Sequence, residues 1–143
     1  SRFSRIKGLL NGDVPHYALY VYENRSVFPR AFIAPNLKTF DTPDALLTSL
    51  SHATSASLRT SAYVNSADAS FPIPVAGELL DDEVVILDYT PDQITISIRT
   101  STHGTLVITN NFNPYWKCTV DGTPRNIIPV YHTFQGVPVT PGH

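Results

Sequence analysis

The sequence predicts an all-β domain, mainly antiparallel, folded as a jelly-roll-like β-sandwich with one short helix near residues 43–51. Twelve Pro and seven Gly punctuate the 143-residue chain, and these residues interrupt long helices. Between them, apolar and polar residues alternate with a period of two, which is typical of half-buried strands. The length suits one domain, so a single domain over residues 1–143 is expected.

The helix is predicted from a start signal. Thr42 can cap a helix whose first residue is Pro43, and Asp44 places an acid in the first turn. Capping hydroxyls, an early Pro and an early acid all favour a helix N-terminus. Apolar residues on one face of the following segment predict two to three turns.

The strands are predicted from alternation and from turn residues between them. Residues 17–22 are apolar on both faces, which indicates a buried central strand. From residue 84 on, the pattern predicts a β-meander, whereas residues 65–83 predict an irregular connection. The remaining predicted strands cover residues 29–34, 58–64, 84–89, 94–99, 105–109, 116–120, 125–131 and 133–139.

Composition excludes several classes of function. The net charge is -2 and the ten basic residues are scattered, which argues against nucleic-acid binding. The longest apolar run, residues 17–22, is far short of the ~20 residues that a membrane span needs. Cys118 is the single cysteine, so no internal disulfide can form. Because the chain also lacks Met, we interpret it as a piece of a longer protein.

The sequence carries no motif for catalysis, metal binding or a cofactor. None of the five histidines has a metal-ligating neighbour at close spacing, and no phosphate-binding loop or nucleophile elbow is present. Asp81, Asp82 and Glu83 form an acidic run, and paired acids can hydrolyse glycosides. Three consecutive acids before a strand favour a solvated turn instead. We therefore predict no catalytic residue, no metal and no cofactor.

One aromatic segment is a candidate for sugar contact or docking. Trp116, the only tryptophan, follows Tyr115 and lies close to Asn111 and Asn113. Flat aromatic faces can stack on the C–H groups of a sugar ring while amides bond to its hydroxyls. Strand alternation places Trp116 on the same face as Cys118, however, so packing of the indole in the core is the competing interpretation.

Three further residues are assigned structural roles. Asp121 and Gly122 lie between two strand patterns, and Asp-Gly favours a type I′ hairpin turn because both positions need a positive φ. Arg30 follows a proline within an apolar strand. Because a buried, unpaired charge is costly, we predict that Arg30 forms an ion pair with Glu23 or Asp88.

Three stretches together carry a family resemblance. They read VYENRSVFPRAF at 21–32, LVITNNFNPYWKCTVDG at 106–122 and FQGVPVTPGH at 134–143. In this order and at this spacing they resemble the extracytoplasmic domain of bacterial YfhO-type multi-pass membrane proteins. The resemblance covers nearly the whole chain, more loosely before residue 84. Tyr115 departs from it, since the family usually has Gly at that position.

The resemblance implies a parent protein with many membrane helices, similar to glycosyltransferases that use lipid-phosphate sugars. The catalytic carboxylates of such proteins lie near the membrane helices, outside this segment. The implied role is therefore that of a non-catalytic accessory domain on the extracytoplasmic face of a bacterial membrane. Its implied partners are the membrane-embedded part of its own parent chain and a glycan or lipid-linked sugar.

Three other functions stay open at this point. A carbohydrate-binding module predicts an exposed aromatic platform with amides around it. A structural or assembly β-sandwich predicts a flat apolar surface patch and no pocket. A small hydrolase that uses Asp81, Asp82 or Asp121 requires two carboxylates ~5–9.5 Å apart in a cleft.

Overall fold

The computed structural model describes residues 3–5, 20–22, 27–69 and 82–142. These residues form mostly strands, which are numbered along the chain together with two helices. The elements are β1 (Phe3–Arg5), β2 (Tyr20–Tyr22), β3 (Ala31–Ala34), β4 (Asn36–Phe40), α1 (Pro43–Ser51), α2 (Ser55–Thr60), β5 (Ser61–Asn65), β6 (Glu83–Tyr89), β7 (Ile94–Arg99), β8 (Gly104–Asn111), β9 (Cys118–Val120), β10 (Thr123–Arg125), β11 (Ile128–Val130) and β12 (Phe134–Val139). The predicted all-β, mainly antiparallel class is confirmed.

The predicted helix near residues 43–51 is α1. The side chain of Thr42 accepts a hydrogen bond from the backbone N–H of Ala45 at 3.2 Å, and Pro43 occupies the first turn. Leu46 is the buried anchor of the helix. The cap and the proline therefore act as the sequence predicted, whereas of the predicted apolar face only Leu46 is buried.

The centre of the fold is an antiparallel sheet of four strands in the order β11-β12-β8-β3. In β8, Leu106 lies opposite Ile33 of β3 and Val137 of β12, so these three side chains share one face. Val107 lies on the other face, fully buried. Both faces of the central sheet are therefore covered.

A different layer covers each face. On the Leu106 face, apolar residues of the hairpins β6–β7 and β9–β10 pack against the sheet. On the Val107 face, Ala62 and Val64 of β5 pack against the sheet. Strands β4 and β5 are parallel to each other, and their register places Lys38 opposite Tyr63. This parallel pair is an exception to the antiparallel arrangement.

Two local predictions in the C-terminal half are confirmed. In β7 the apolar residues are half-buried and the polar residues between them are exposed, as the alternation predicted. Asp121 and Gly122 connect β9 to β10 with φ values of 50° and 76°. Both are positive, as a type I′ hairpin turn requires.

Several predicted strands are wrong in extent or pairing. Residues 58–60 belong to α2, whose N-cap is Thr54, and only residues 61–65 form a strand. Residues 36–40 form β4, which was not predicted. The meander also fails, because β8 pairs with β3 and β12 and not with β7. Short elements whose partners lie far along the chain leave no local pattern to detect.

The predicted strand over residues 125–131 is divided into β10 and β11, and its end is a turn. Tyr131 and His132 adopt φ values of 49° and 70°, a region that favours glycine. The N–H of Tyr131 donates to the carbonyl of Tyr63 at 2.8 Å, and its hydroxyl lies 2.6 Å from the carbonyl oxygen of Leu58. These contacts stabilise a turn that the sequence does not predict, because the turn contains no glycine.

Two predictions reach outside the described residues. In the predicted central strand over 17–22, β2 pairs with β1 in a separate two-stranded sheet, and residues 17–19 are outside the described part. Residues 70–81 of the predicted irregular connection also lie outside it. At the ends of that connection, Asn65 closes β5 and Glu83 opens β6.

Candidate functional site

Three of the four residues predicted for sugar contact, Asn113, Tyr115 and Trp116, line an open groove of about 700 Å³ on the Leu106 face of the sheet. One wall is the segment 113–119, and the other comes from the β6–β7 turn and the start of β7. The floor includes Ile108, Gln135 and Val137 of the central sheet. We call this feature the Trp116 groove.

A tight turn shapes the aromatic wall. The side-chain oxygen of Asn113 accepts the N–H of Tyr115 at 2.9 Å, and its carbonyl accepts the N–H of Trp116 at 3.1 Å. Such asparagine-centred turns fix the direction of the chain. The result is that Tyr115 is 88% exposed, while Trp116 is half-buried beside it.

The position of Trp116 differs from that of a core residue. Strand β9 begins at Cys118, so Trp116 belongs to the preceding turn and not to the strand. The predicted alternation persists, since Trp116 and Cys118 are half-buried and Lys117 is exposed. The indole therefore has one part covered by protein and one part at the groove.

The opposite wall supplies polar groups that the sequence analysis missed. Asp92 and Gln93 belong to the β6–β7 turn, where the hydroxyl of Thr90 donates to Asp92 at 2.9 Å. Lys117 lines the groove on the aromatic side. The groove thus combines two aromatic rings with a carboxylate, amides and an ammonium group, a combination suited to a ligand with many hydroxyls.

Asn111 does not join the other predicted residues. It ends β8 and is exposed, and its carbonyl accepts a hydrogen bond from the side chain of Gln135 at 3.2 Å. Because Gln135 lies on the groove floor, Asn111 holds a floor residue in place. The structure therefore brings together Trp116, Tyr115 and Asn113, and gives Asn111 a supporting position.

A second groove of about 400 Å³ lies alongside the first on the same face of the sheet. The two share residues of β7, β8 and β9, including Cys118. Burial raises the pKa of the Cys118 thiol, although the positive charge of Arg125 acts in the opposite direction. This thiol is therefore kept in its neutral form beside both grooves.

The acidic residues considered for hydrolysis do not converge on the groove. Asp82 accepts the backbone N–H of Ser101 at 3.2 Å, and Glu83 forms an exposed ion pair with Arg99 at 3.7 Å. Asp121 lies in the β9–β10 turn, and Asp81 is outside the described residues. Asp92 is the one carboxylate among the described residues that line the Trp116 groove.

Arg30 is exposed, and of its two predicted partners only Asp88 lies within the described residues. Its guanidinium lies 5.9 Å from the centroid of the Tyr89 ring and forms no ion pair with Asp88. Glu23, the other predicted partner, lies outside the described residues. An exposed guanidinium over an aromatic face keeps its hydration, so it needs no carboxylate.

The outer side of β6 carries an exposed apolar surface. Val85, Leu87 and Tyr89 are all exposed there. Tyr89 also donates its hydroxyl to the side chain of Asn110 at 2.9 Å, which joins β6 to the end of β8. The assembly alternative predicted an apolar surface patch of this kind. It also predicted that there would be no pocket, and the two grooves do not agree with that.

The part of the chain that the structure describes contains neither a clustered set of metal ligands nor a helix that could cross a membrane. Within the described residues, no group of three His, Cys, Asp or Glu side chains is placed to hold a metal ion. In the same part of the chain, no helix combines the length and the apolar character that crossing a membrane requires.

Comparisons with known proteins give no relative for this chain. No family model, no curated protein and no solved structure matches it.

Proposed function

We propose that this chain is a non-catalytic accessory domain that contacts a glycan through the Trp116 groove. One observation carries the proposal: Tyr115 is 88% exposed next to a half-buried Trp116 at an open groove. Exposure of a large aromatic side chain to water is unfavourable, and a ligand that covers the ring removes this exposed apolar area. Sugar rings present both the C–H face and the hydroxyls that these groups can bind.

The polar side of the groove supports the same ligand class. Asp92 accepts hydrogen bonds from hydroxyls, Lys117 donates them, and the amide of Gln93 does both. Asp92 and Gln93 lie across from the aromatic wall, so a sugar could stack on one side and form hydrogen bonds on the other, with Lys117 donating from the aromatic side. Asp92 is the one groove carboxylate among the described residues, which supports binding over hydrolysis, because glycoside hydrolysis commonly uses a pair.

The cellular setting is proposed from the family resemblance. We infer that the parent is a multi-pass membrane protein similar to lipid-phosphate-sugar-dependent glycosyltransferases, with this domain on the extracytoplasmic side. Its partners would then be the membrane part of the same chain and the glycan acceptor. The gene tests this directly: flanking sequence without membrane-spanning helices would contradict the setting, while leaving glycan binding open to its own test.

Glycan binding is tested with the isolated chain on a glycan array, followed by calorimetry with any hit. Trp116→Ala and Tyr115→Ala are each expected to weaken binding by about tenfold. Tyr89→Ala is the matched control, because it removes an exposed tyrosine outside the groove. Circular dichroism and thermal unfolding establish that each variant is folded. If both groove variants bound the glycan as tightly as the wild-type chain, the proposal would be overturned. An array without any hit would overturn it as well.

The exposed surface of Val85, Leu87 and Tyr89 favours a second candidate function, assembly through β6. Apolar patches of this kind commonly mark interaction sites. Leu87→Glu should then abolish any concentration-dependent self-association measured by sedimentation velocity, with the fold retained. A wild-type chain that stays monomeric at all concentrations would contradict assembly through a second copy.

A further inference from the structure

A third cavity, a pocket of about 530 Å³, lies between strands β4 and β5 and the helices α1 and α2. It belongs to the layer on the Val107 face of the central sheet, whereas the Trp116 groove lies on the Leu106 face. Lys38, His52, Ser57 and Tyr63 contribute their side chains to it. We call it the Lys38 pocket.

The parallel pairing of β4 and β5 creates the centre of this pocket. Ala62 and Val64 point towards the central sheet, so Tyr63 between them points the other way. The register places Lys38 directly opposite Tyr63. The Lys38 ammonium donates to the Tyr63 hydroxyl at 3.2 Å and lies 5.0 Å from the centroid of its ring.

Helix α2 adds the third member of the cluster. Its capping residue Thr54 accepts the N–H of Ser57, which fixes the first turn. The hydroxyl of Ser57 lies 2.8 Å from the hydroxyl of Tyr63. In contrast, the hydroxyl of Thr60 in the same helix bonds back to helix carbonyls. The Ser57 hydroxyl is therefore directed at the cluster and not at its own backbone.

The hydrogen-bond inventory leaves the pocket with surplus donors. An ammonium group has three N–H donors, and Lys38 uses one of them on Tyr63. The Ser57 and Tyr63 hydroxyls share one hydrogen bond, which uses one of their two protons. The other proton has no acceptor among the described residues. The lining also includes His52 and Thr54, and no carboxylate of the described residues lines the pocket.

The titration of Tyr63 supports the same conclusion. The hydrogen bond from Ser57 lowers the pKa of the Tyr63 hydroxyl, and Lys38 lowers it further through a hydrogen bond and its charge, against the opposing effect of burial. Groups that lower the pKa of a phenol do so because they stabilise a negatively charged oxygen. The same groups can stabilise an oxygen that belongs to a ligand.

We propose that the Lys38 pocket binds the phosphate group of a phosphorylated ligand, held by the spare N–H donors of the Lys38 ammonium and by the free hydroxyl proton of the Ser57–Tyr63 pair. Hydrogen bonds from an ammonium to a phosphate oxygen are charge-assisted and short. The pocket has room for a phosphate and is open to solvent, so a larger group attached to the phosphate can extend outwards. The site is independent of the proposed glycan groove.

Inorganic phosphate is the probe for the first experiment, an ¹⁵N–¹H NMR titration of the full chain at constant ionic strength. Saturable shifts are expected at the amides of Lys38, Ser57 and Tyr63. Lys38→Met should weaken the binding by at least about tenfold, since it removes a charged donor. Arg125→Gln is the matched control, because it removes a positive charge from an exposed site in β10. Shifts that fail to saturate, or that persist unchanged in Lys38→Met, would overturn the proposal.

A second variant separates binding from folding. Tyr63→Phe keeps the ring in place and removes one hydroxyl, so it should weaken phosphate binding while the remaining NMR spectrum stays folded. Vesicle sedimentation then separates the two sources of phosphate. Binding to phosphatidylglycerol vesicles that Lys38→Met abolishes would support a lipid headgroup. Saturable phosphate binding without vesicle binding would support a soluble phosphate ester.

Discussion

The rings of Tyr63 and Tyr131 lie 5.9 Å apart, yet the pKa values of their hydroxyls shift in opposite directions. Around Tyr63, Ser57 and Lys38 stabilise the ionised hydroxyl. Tyr131 is half-buried, and its hydroxyl faces the carbonyl oxygens of Leu58 and Ser61, which can only accept hydrogen bonds. The neutral hydroxyl is the form that Tyr131 needs, and it joins the β11–β12 turn to the junction of α2 and β5.

Replacing Tyr131 tests this connection. Tyr131→Phe removes the donor and leaves two carbonyl oxygens without it, so we expect the free energy of unfolding to fall by about 1–3 kcal/mol. Chemical denaturation followed by circular dichroism measures the change. Tyr115→Phe is the control, because that hydroxyl is exposed and its loss should alter the stability by less than about 0.5 kcal/mol. Equal stability of the two variants would contradict a structural role for the Tyr131 hydroxyl.

The two tyrosines also predict the alkaline behaviour of the fold. Burial raises the pKa of Tyr131 above the ordinary 10.0, so its stabilising contribution is complete below pH 10 and is lost as the pH rises further. The loss can reach about 1.4 kcal/mol per pH unit for a single proton. The lowered pKa of Tyr63 has the opposite sign, so its contribution increases as the pH rises towards 10.

Denaturation curves across the alkaline range separate these contributions. Tyr131→Phe should reduce the decline in unfolding free energy above pH 10, and Tyr63→Phe should remove part of the gain just below it. Absorbance titration of tyrosine ionisation provides an independent check, since the Tyr63→Phe chain should lose a group that ionises early. A decline in stability that Tyr131→Phe leaves unchanged would show that this hydroxyl does not control it.

Gly136 of β12 is predicted to tolerate no side chain. A Cβ there would lie 2.9 Å and 3.1 Å from the two methyl carbons of Val130 and 3.2 Å from the methyl of Thr105. Because Val130 and Thr105 are fully buried, we expect Gly136→Ala to destabilise the fold by about 1–3 kcal/mol. Thermal and chemical unfolding of the variant measure this cost.

A second glycine is the control for this crowding. A Cβ at Gly122 would meet nothing within 4 Å, but its φ is +76°, so Gly122→Ala should cost about 1–2 kcal/mol through backbone strain alone. Adding Val130→Ala should partly relieve Gly136→Ala and leave the cost of Gly122→Ala unchanged. Crowding at Gly136 would be contradicted if the losses in unfolding free energy of Gly136→Ala and Val130→Ala simply added, as those of Gly122→Ala and Val130→Ala are expected to do.

The parts of the fold that the sequence predicted are those with local signals. The cap at Thr42, the alternation in β7 and the Asp121–Gly122 turn each depend on neighbouring residues. The central sheet depends on pairing between distant strands, since β3 and β12 both join β8. The turn at Tyr131 was missed because tertiary hydrogen bonds, and not its own residue type, hold its positive φ.

The same division applies to the candidate sites. Trp116, Tyr115 and Asn113 are close in sequence, so their side chains could be recognised as a group from composition. Asp92 faces them from a turn more distant in the chain. The Lys38 pocket left no signal at all, because Lys38 meets Tyr63 only through a parallel pairing of β4 with β5.

The reactivity of Cys118 offers a chemical test of the grooves. Burial raises the pKa of this thiol, and the thiolate is the reactive form, so a disulfide reagent at neutral pH should react more slowly with the folded chain than with the urea-unfolded chain. Arg125→Gln removes the charge that favours the thiolate and should slow the folded reaction further. Since the chain has one cysteine, absorbance of the released thiol reports this site alone.

A glycan bound in the Trp116 groove should protect Cys118, and protection should disappear in Trp116→Ala. Equal rates for folded and unfolded chains would contradict the half-buried position of this thiol.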